Sequence, residues 1–312
     1  GSTAAQELAF TLNNGFAYIE ECLKRGLKID DFAHRLSFFF NAHMDFFEEI
    51  AKYRAARRIW ANRLKDKYGA KNESSLKLKF HTQTAGCSLT AQQPENNIVR
   101  TAFEAMSAVL GGTNSLHTNS LDETLALPSE KAAKIALRTQ QILAFETGVP
   151  NVADPLGGSW YIEELTDKLE KHAIRYFEEI QEMGGTVQAI EDGYFQKKIA
   201  ESASIYQESV DSKERIIVGV NDFVEEDEEL DIEILKISRD AQDTQEDKIK
   251  TLRKSRDEKI LQKKMKKLSD ACKKDLNLVP FLIEVAEQGG TVGEIVEVMK
   301  KVYGEWEESF GI

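Results

Sequence analysis

Cysteine is scarce in this sequence: only Cys22, Cys87 and Cys272 occur among 312 residues. An odd number of widely spaced cysteines makes neither a disulfide framework nor a metal-ligand cluster. We therefore expect a protein of a reducing, cytoplasmic setting without a metal centre.

Long apolar runs and an excess of positive charge are missing as well. No apolar stretch reaches the roughly 18 residues that suggest a membrane span. The net charge is −12 and the pI is about 5.1, so neither nucleic acid nor a membrane is an expected partner. A hydrophobic content of 41% and a charged content of 30% fit a globular protein with a buried core.

Strand patterns alternate with helical patterns in the first half of the chain. The predicted helices are 3–25, 45–68, 96–110 and 130–148, and the predicted strands are 35–40, 76–81 and 115–118. This alternation is typical of parallel βα units in an α/β fold. About three such units fit before residue 150, as part of either a (β/α)8 barrel or a doubly wound sheet.

Polar residues at 81–84 and 117–120 follow two of these strands, where a barrel carries its functional loops. A closed barrel has eight strands, so three units leave strands unaccounted for.

The second half of the sequence is mostly helical. Helices are predicted at 161–183, 186–209, 244–274 and 291–306, with one isolated strand at 215–220. The helix at 244–274 is highly charged and has a narrow apolar stripe, which favours packing on a neighbouring surface. We therefore predict two regions, with the incomplete barrel at 1–150 and a helical linker or subunit-contact region at 151–312.

Three polar motifs are candidates for ligand binding. Arg35 and Ser37 begin a buried strand, where a guanidinium could hold a phosphate or make a salt bridge at the surface. Gln83 offers both a donor and an acceptor, suited to a neutral ligand with many amides or to a turn that hydrogen-bonds to itself.

The third motif follows Gly111 and Gly112 and matches neither a P-loop nor a dinucleotide fingerprint. Its alternative interpretation is helix capping by Ser120. No nucleophile signature or acid–base pair is visible, so no catalytic residue is predicted.

Together these segments resemble the adenosylcobalamin-dependent acyl-CoA mutase family, of the methylmalonyl-CoA mutase type. The similar segments run almost end to end, at 35–43, 45–61, 81–86, 89–101, 111–123, 154–159, 214–221 and 291–295. The resemblance implies the last three βα units of a (β/α)8 TIM barrel that threads acyl-CoA along its axis, followed by a helical linker. It also implies a radical carbon-skeleton rearrangement with adenosylcobalamin at the carboxyl end of the barrel.

The resemblance further implies roles for eight side chains. The acyl-CoA contacts carried over from the family are Arg35, Ser37, Asn114 and Ser115, and the cofactor contacts are Gln83, His117, Asn119 and Glu123. Two positions depart from the family pattern. Asn114 stands where the family often has Gln, and Cys87 stands where relatives often carry a Trp that packs on the corrin.

Other parts of the family's enzymes are not in this sequence. The family's substrate-handling His, Tyr and Arg lie upstream of the segment that Gly1 begins, and its cobalamin-binding domain has no match here. The resemblance therefore implies two partners: an N-terminal barrel segment, on the same or a separate chain, and a small cobalamin-binding subunit.

We expect part of a methylmalonyl-CoA mutase large subunit, incomplete alone, that interconverts methylmalonyl-CoA and succinyl-CoA. The alternatives are an isobutyryl-CoA mutase large subunit and a non-catalytic scaffold that binds a partner through its helical half.

Overall fold

The computed structural model describes residues 1–225, 232, 234–236 and 238–307. Its contacts divide these residues into two compact units, one ending at Leu235 and one beginning at Lys236. Among the described residues, no helix is long and apolar enough to cross a membrane.

The first unit is an α/β structure with a small sheet. Its helices are α1 (Ala4–Lys24), α2 (Ile29–Phe32), α3 (Phe46–Asp66), α4 (Glu73–Leu76), α5 (Asn96–Leu110), α6 (Glu130–Phe145), α7 (Trp160–Glu182), α8 (Thr186–Glu191) and α9 (Tyr194–Asp211). Its strands are β1 (Phe38–Ala42), β2 (Phe80–Thr84) and β3 (Ser115–His117). The strands are parallel, in the order β1-β2-β3. This confirms the predicted α/β class and is consistent with part of a barrel.

Aromatic side chains join the sheet to the helices on one of its faces. Trp60 of α3 is 1% exposed and packs its ring 5.9 Å from Phe16 of α1 and 5.0 Å from Phe38 of β1. Phe40 and Phe80 are also buried, and each such side chain contributes about 1.5–3 kcal/mol to folding. The core therefore lies between the sheet and the helices α1 and α3.

Helix α7 belongs to this packed layer, although it lies in the region predicted as linker. Its Phe177 packs its ring 5.5 Å from Phe16 of α1. Its Asp167 and Glu170 both pair with Arg58 of α3. The boundary at residue 150 is a prediction from the pattern of strands and helices along the sequence, and the compact units of the structure divide later in the chain.

Two of the predicted strands begin too early. Residues Ala33–Arg35 form a 3-10 turn, and β1 starts at Phe38 and continues through Asn41 and Ala42. Residues Glu73–Leu76 form a helical turn, and β2 starts at Phe80. The first prediction rested on an aromatic run and the second on alternation of apolar and charged residues. Both observed strands instead continue into polar residues, some of which point to the open face of the sheet.

The isolated strand predicted at 215–220 is not formed. Only a single bridge joins Val218 to Asp222. The Asn221 side chain folds the segment into a turn: its Oδ1 accepts from the Ile217 N–H at 2.7 Å and its Nδ2 donates to the Arg215 carbonyl at 2.8 Å. An asparagine that satisfies local backbone groups competes with strand pairing.

The predicted helix 186–209 is divided at Gly193. This glycine has φ +69° and separates α8 from α9. A left-handed residue ends a helix because it turns the backbone away from the helical path.

The second unit is helical. It contains α10 (Arg239–Ser255), α11 (Glu258–Lys273), α12 (Val279–Glu287) and α13 (Val292–Tyr303). Its core gathers Leu261, Met265, Leu268, Cys272 and Val285. The single helix predicted at 244–274 is divided because the Asp257 carboxylate accepts from the Ile260 N–H at 3.0 Å and starts a new helix.

Candidate functional site

One face of the sheet packs against helices and the other face is open. Phe40, Ala42, Phe80, Thr82 and Thr84 are buried on the helix-covered face. Alternate residues of a strand point to opposite faces. The open face therefore carries the residues between them, which are Phe39, Asn41, His81, Gln83, Ser115 and His117.

The strand register arranges these side chains in two rows. Phe39, His81 and Ser115 form the row nearer the amino ends of the strands. Their side chains touch, because the His81 ring lies 5.1 Å from that of Phe39 and its Nδ1 is 2.7 Å from the Ser115 Oγ.

Asn41, Gln83 and His117 form the second row, at the carboxyl ends of the strands. Carboxyl ends of parallel strands are where α/β folds bind ligands. This row is therefore the centre of the candidate site.

The loop after β3 supports the second row from one side. Asn119 is 4% exposed, and its Oδ1 accepts from the Thr84 hydroxyl at 2.7 Å and from Gln83 Nε2 at 3.5 Å. Its Nδ2 donates to Glu123 at 2.6 Å. The other Glu123 oxygen accepts from the Ser120 N–H at 2.7 Å. Asn119 and Glu123 thus hold the loop in place beside Gln83, and their direct contact with a cofactor stays a prediction.

The residues predicted to bind acyl-CoA lie toward the amino end of the sheet. Arg35 is exposed in the turn before β1, and among the described residues it has no carboxylate within salt-bridge distance. Ser37 is exposed two residues before Phe39 and continues the open face. Asn114 has a structural task, since its Oδ1 accepts from the Phe80 N–H at 2.9 Å. The structure thus separates the two predicted groups, with acyl-CoA contacts at one end of the sheet and cofactor contacts at the other.

Sequence reasoning missed Phe39 and Asn41 as open-face residues, and it gave His81 no role beyond its place in the polar residues 81–84. Asn41 is two residues after Phe39 and four after Ser37, so strand alternation already places Ser37, Phe39 and Asn41 on one face. The sequence alone did not give the strand pairs, and these align Asn41 with Gln83.

A buried ionic cluster lies beneath the end of β1. Lys52 of α3 is 1% exposed and donates to Glu7 of α1, to Glu49 at 2.5 Å and to the Asn41 carbonyl at 2.9 Å. Burial raises the pKa of Glu49 to about 7, although the Lys52 charge works to lower it. Burial also works to lower the pKa of Lys52, but Glu49 and Glu7 outweigh it and the pKa is raised. The cluster therefore keeps one cation between two carboxyl groups directly under the site.

Glu104 of α5 is a second buried carboxyl group near the site. It is 0% exposed, and neither oxygen has a hydrogen-bond partner among the described residues. Burial raises its pKa to about 8. The turn after β2 lies over it, and within that turn the Ser88 hydroxyl donates to the Ala85 carbonyl at 2.8 Å.

A mostly apolar cavity of about 360 Å³ opens beside the carboxyl ends of β1 and β2. Its wall includes His43, Cys87, Arg100 and Phe103. Burial and the nearby charges of Lys52 and Arg215 lower the pKa of His43. Among the described residues, no group of three or more His, Cys, Asp or Glu side chains could hold a metal ion.

These features define an α/β protein with a candidate ligand site on the open face and carboxyl edge of a parallel sheet. The sequence profile of the family described as Methylmalonyl-CoA mutase matches residues 1–305. The chain belongs to the methylmalonyl-CoA mutase family.

Individual relatives give the same family. The chain is 46% identical over 310 residues to the 2-hydroxyisobutanoyl-CoA mutase large subunit of Aquincola tertiaricarbonis, covering 99% of this chain and 55% of the relative. It is 47% identical over 308 residues to methylmalonyl-CoA mutase of Rhizobium meliloti (98% and 43%). It is 45% identical over 307 residues to the mitochondrial methylmalonyl-CoA mutase of Homo sapiens (98% and 41%). The chain thus spans about half the length, or less, of these relatives.

Proposed function

We propose that this chain forms one wall of an adenosylcobalamin-dependent acyl-CoA mutase that interconverts methylmalonyl-CoA and succinyl-CoA. The observation that carries the proposal is the open sheet face, where two rows of side chains run from the predicted acyl-CoA end to the predicted cofactor end. Family membership supports the isomerase class.

The residues on this face fit the chemistry of the proposed cofactor. Adenosylcobalamin supplies a cobalt–carbon bond whose cleavage starts radical rearrangements, and its ring carries many amide groups. Gln83 offers an amide donor and acceptor on the open face, and His117 adds a ring nitrogen. The Gln83 Nε2 lies 3.5 Å from the Asn119 Oδ1, a long contact that leaves the Gln83 carboxamide available to a ligand.

At the other end of the face, Arg35 suits an anionic group of coenzyme A. Its exposed guanidinium has no ion-pair partner among the described residues, and guanidinium groups bind phosphate through paired donors. In this proposal the chain's own residues bind and orient ligands, and none of them is assigned a catalytic step.

We further propose that the chain acts together with other barrel strands and with a cobalamin-binding subunit. The structure describes three parallel strands, whereas a closed barrel has eight. The remaining strands would come from the same polypeptide or from a separate one. The proposed setting is the cytoplasm.

Three acyl-CoA substrates are candidates for this site. The 46% identity to a 2-hydroxyisobutanoyl-CoA mutase large subunit favours 2-hydroxyisobutanoyl-CoA as the second candidate. Isobutyryl-CoA is a third member of the same substrate class.

The test is an isomerisation assay of the assembled mutase with methylmalonyl-CoA, isobutyryl-CoA and 2-hydroxyisobutanoyl-CoA, each with adenosylcobalamin. We expect conversion of methylmalonyl-CoA to succinyl-CoA, and none by the chain alone. Gln83→Ala should lower kcat/KM by about tenfold or more, because an oriented polar contact is lost. Gln181→Ala, an exposed residue of α7, is the matched control.

Turnover by the chain alone would contradict the need for further strands. An assembly that neither binds cobalamin nor isomerises any of the three substrates would contradict the mutase proposal and favour a scaffold that binds partners.

A further inference from the structure

Asn41 stands in the same row as two residues predicted to bind the cofactor. The register pairs Asn41 with Gln83, and Gln83 with His117. Neighbouring strands lie about 4.8 Å apart, so the three side chains rise side by side from the open face. No sequence motif had marked Asn41 as a site residue.

The backbone of Asn41 is fixed from the side of β1 that faces away from β2. Its N–H donates to a Glu7 oxygen at 2.6 Å, and its carbonyl accepts from Lys52 at 2.9 Å and from the Tyr53 hydroxyl. Glu7 and Lys52 also pair with each other. Side chains from two helices thus hold this one residue at both of its backbone polar groups.

The side chain of Asn41, in contrast, has no structural task. It is exposed, and among the described residues its carboxamide makes no hydrogen bond. Asparagine is depleted in strands, and it usually satisfies nearby backbone groups when it occurs there. A rigidly held backbone that presents an uncommitted carboxamide on the ligand-facing side is typical of a binding residue.

We propose that Asn41 is a further ligand-binding residue of this site, whose carboxamide N–H donates to a carbonyl oxygen of the bound ligand. Two ligands of the proposed mutase carry such an oxygen at this end of the sheet: the amide groups of the cobalamin ring and the thioester of acyl-CoA. The inference rests on the proposed function and adds a residue that neither the sequence motifs nor the family comparison had assigned.

The experiment compares wild type, Asn41→Ala and Asn41→Leu in the assembled mutase. Two quantities are measured: binding of adenosylcobalamin by equilibrium dialysis without substrate, and KM for acyl-CoA at saturating cofactor. Loss of one neutral hydrogen bond should weaken binding about three- to tenfold. Asn41→Leu keeps a branched side chain with the same number of heavy atoms and removes the amide, so an equal loss in both variants assigns the effect to the hydrogen bond.

The control is Asn62→Ala, which makes the same truncation at an exposed position of α3. It should leave both quantities unchanged, and all variants should keep the wild-type unfolding midpoint. A weaker cobalamin affinity identifies the cofactor amide as the partner of Asn41, and a higher KM identifies the thioester.

If the wild-type assembly is active and both Asn41 variants bind both ligands within 1.5-fold of it, the inference about Asn41 is wrong and the proposed function stands. If the wild-type assembly neither binds cobalamin nor turns over, both proposals are wrong.

Discussion

At the scale of single residues, two buried carboxyl groups set how the first unit responds to pH. Glu104 keeps its proton in the folded chain up to about pH 8, since burial disfavours its charge. The unfolded chain loses the same proton near pH 4.5. Glu49 behaves similarly, with a folded pKa of about 7.

We expect Glu104→Gln to remove part of this pH dependence. The contribution of Glu104 to stability is fully present below pH 4.5 and is lost as the pH rises to about 8. As the pH rises over this range, the free energy of unfolding of the variant should therefore increase relative to that of wild type by about 1 kcal/mol per pH unit. Urea unfolding at pH 5, 6.5 and 8 measures the difference.

Glu95→Gln is the matched control, because Glu95 is exposed at the start of the same helix. The free energy of unfolding of Glu95→Gln should change with pH in parallel with that of wild type. A constant offset between Glu104→Gln and wild type at all three pH values would contradict the prediction.

Replacement of Lys52 should lower the free energy of unfolding more than the other substitutions do. Lys52→Met would leave Glu7 and Glu49 facing each other without a cation, and Lys52 itself is 1% exposed. Breaking a buried ion pair from one side costs about 3–5 kcal/mol. Urea unfolding of Lys52→Met should show a loss of this size.

Lys65→Met on the exposed side of the same helix should change the free energy of unfolding by less than about 0.5 kcal/mol. Equal values for the two variants would show that the cluster does not stabilise the fold.

At the scale of elements, one ion pair joins the start of α13 to the residues before α11. Arg256 donates from two nitrogens to the two Glu294 oxygens, at 2.8 and 2.6 Å, and also to the Gly289 carbonyl at 2.9 Å. The hydrogen bonds from Arg256 lower the pKa of Glu294 to about 2. Glu294 also caps its own helix, since it accepts from the Thr291 N–H at 2.9 Å.

Glu294→Ala should therefore loosen the start of α13. The expected loss is about 1–2 kcal/mol, kept small by the partial solvent exposure of Glu294. Amide hydrogen exchange of residues 292–303 should speed up, whereas Glu297→Ala, exposed on the same helix, should leave it unchanged. The stabilisation by Glu294 is present above pH 4.5 and is lost as the pH falls to about 2. The free energies of unfolding of Glu294→Ala and Glu297→Ala should therefore converge in acid. Unchanged exchange in Glu294→Ala would contradict this role.

The accuracy of each predicted helix or strand depended on which residues terminate it. Helix α5 was predicted at its observed bounds, because Gly111 and Gly112 follow a strongly periodic stretch. The breaks at Gly193 and Asp257 were missed, since the apolar pattern continues across both. The turn around Asn221 was missed because the apolar residues before it read as a strand.

At the scale of the whole molecule, the family and the α/β class could be read from the sequence, and the arrangement of the site only in part. Gln83 and His117 were predicted as ligand residues from the family resemblance, and the structure places them in one row on the open face. Their alignment with Asn41 depends on strand register, which long-range packing sets. The buried cluster joins Glu7 to Lys52 across 45 positions of sequence, a pairing that no local pattern contains.

The same buried cluster bears on whether the sheet can recruit foreign strands. Unpaired backbone groups along an outermost strand invite aggregation by strand addition. At Asn41 these groups are already occupied by Glu7, Lys52 and Tyr53, so an incoming strand would have to displace buried charges to pair there. A strand that joins β1, whether to complete a barrel or in non-native association, would therefore either displace Glu7, Lys52 and Tyr53 at Asn41 or pair with β1 only through the residues that precede Asn41.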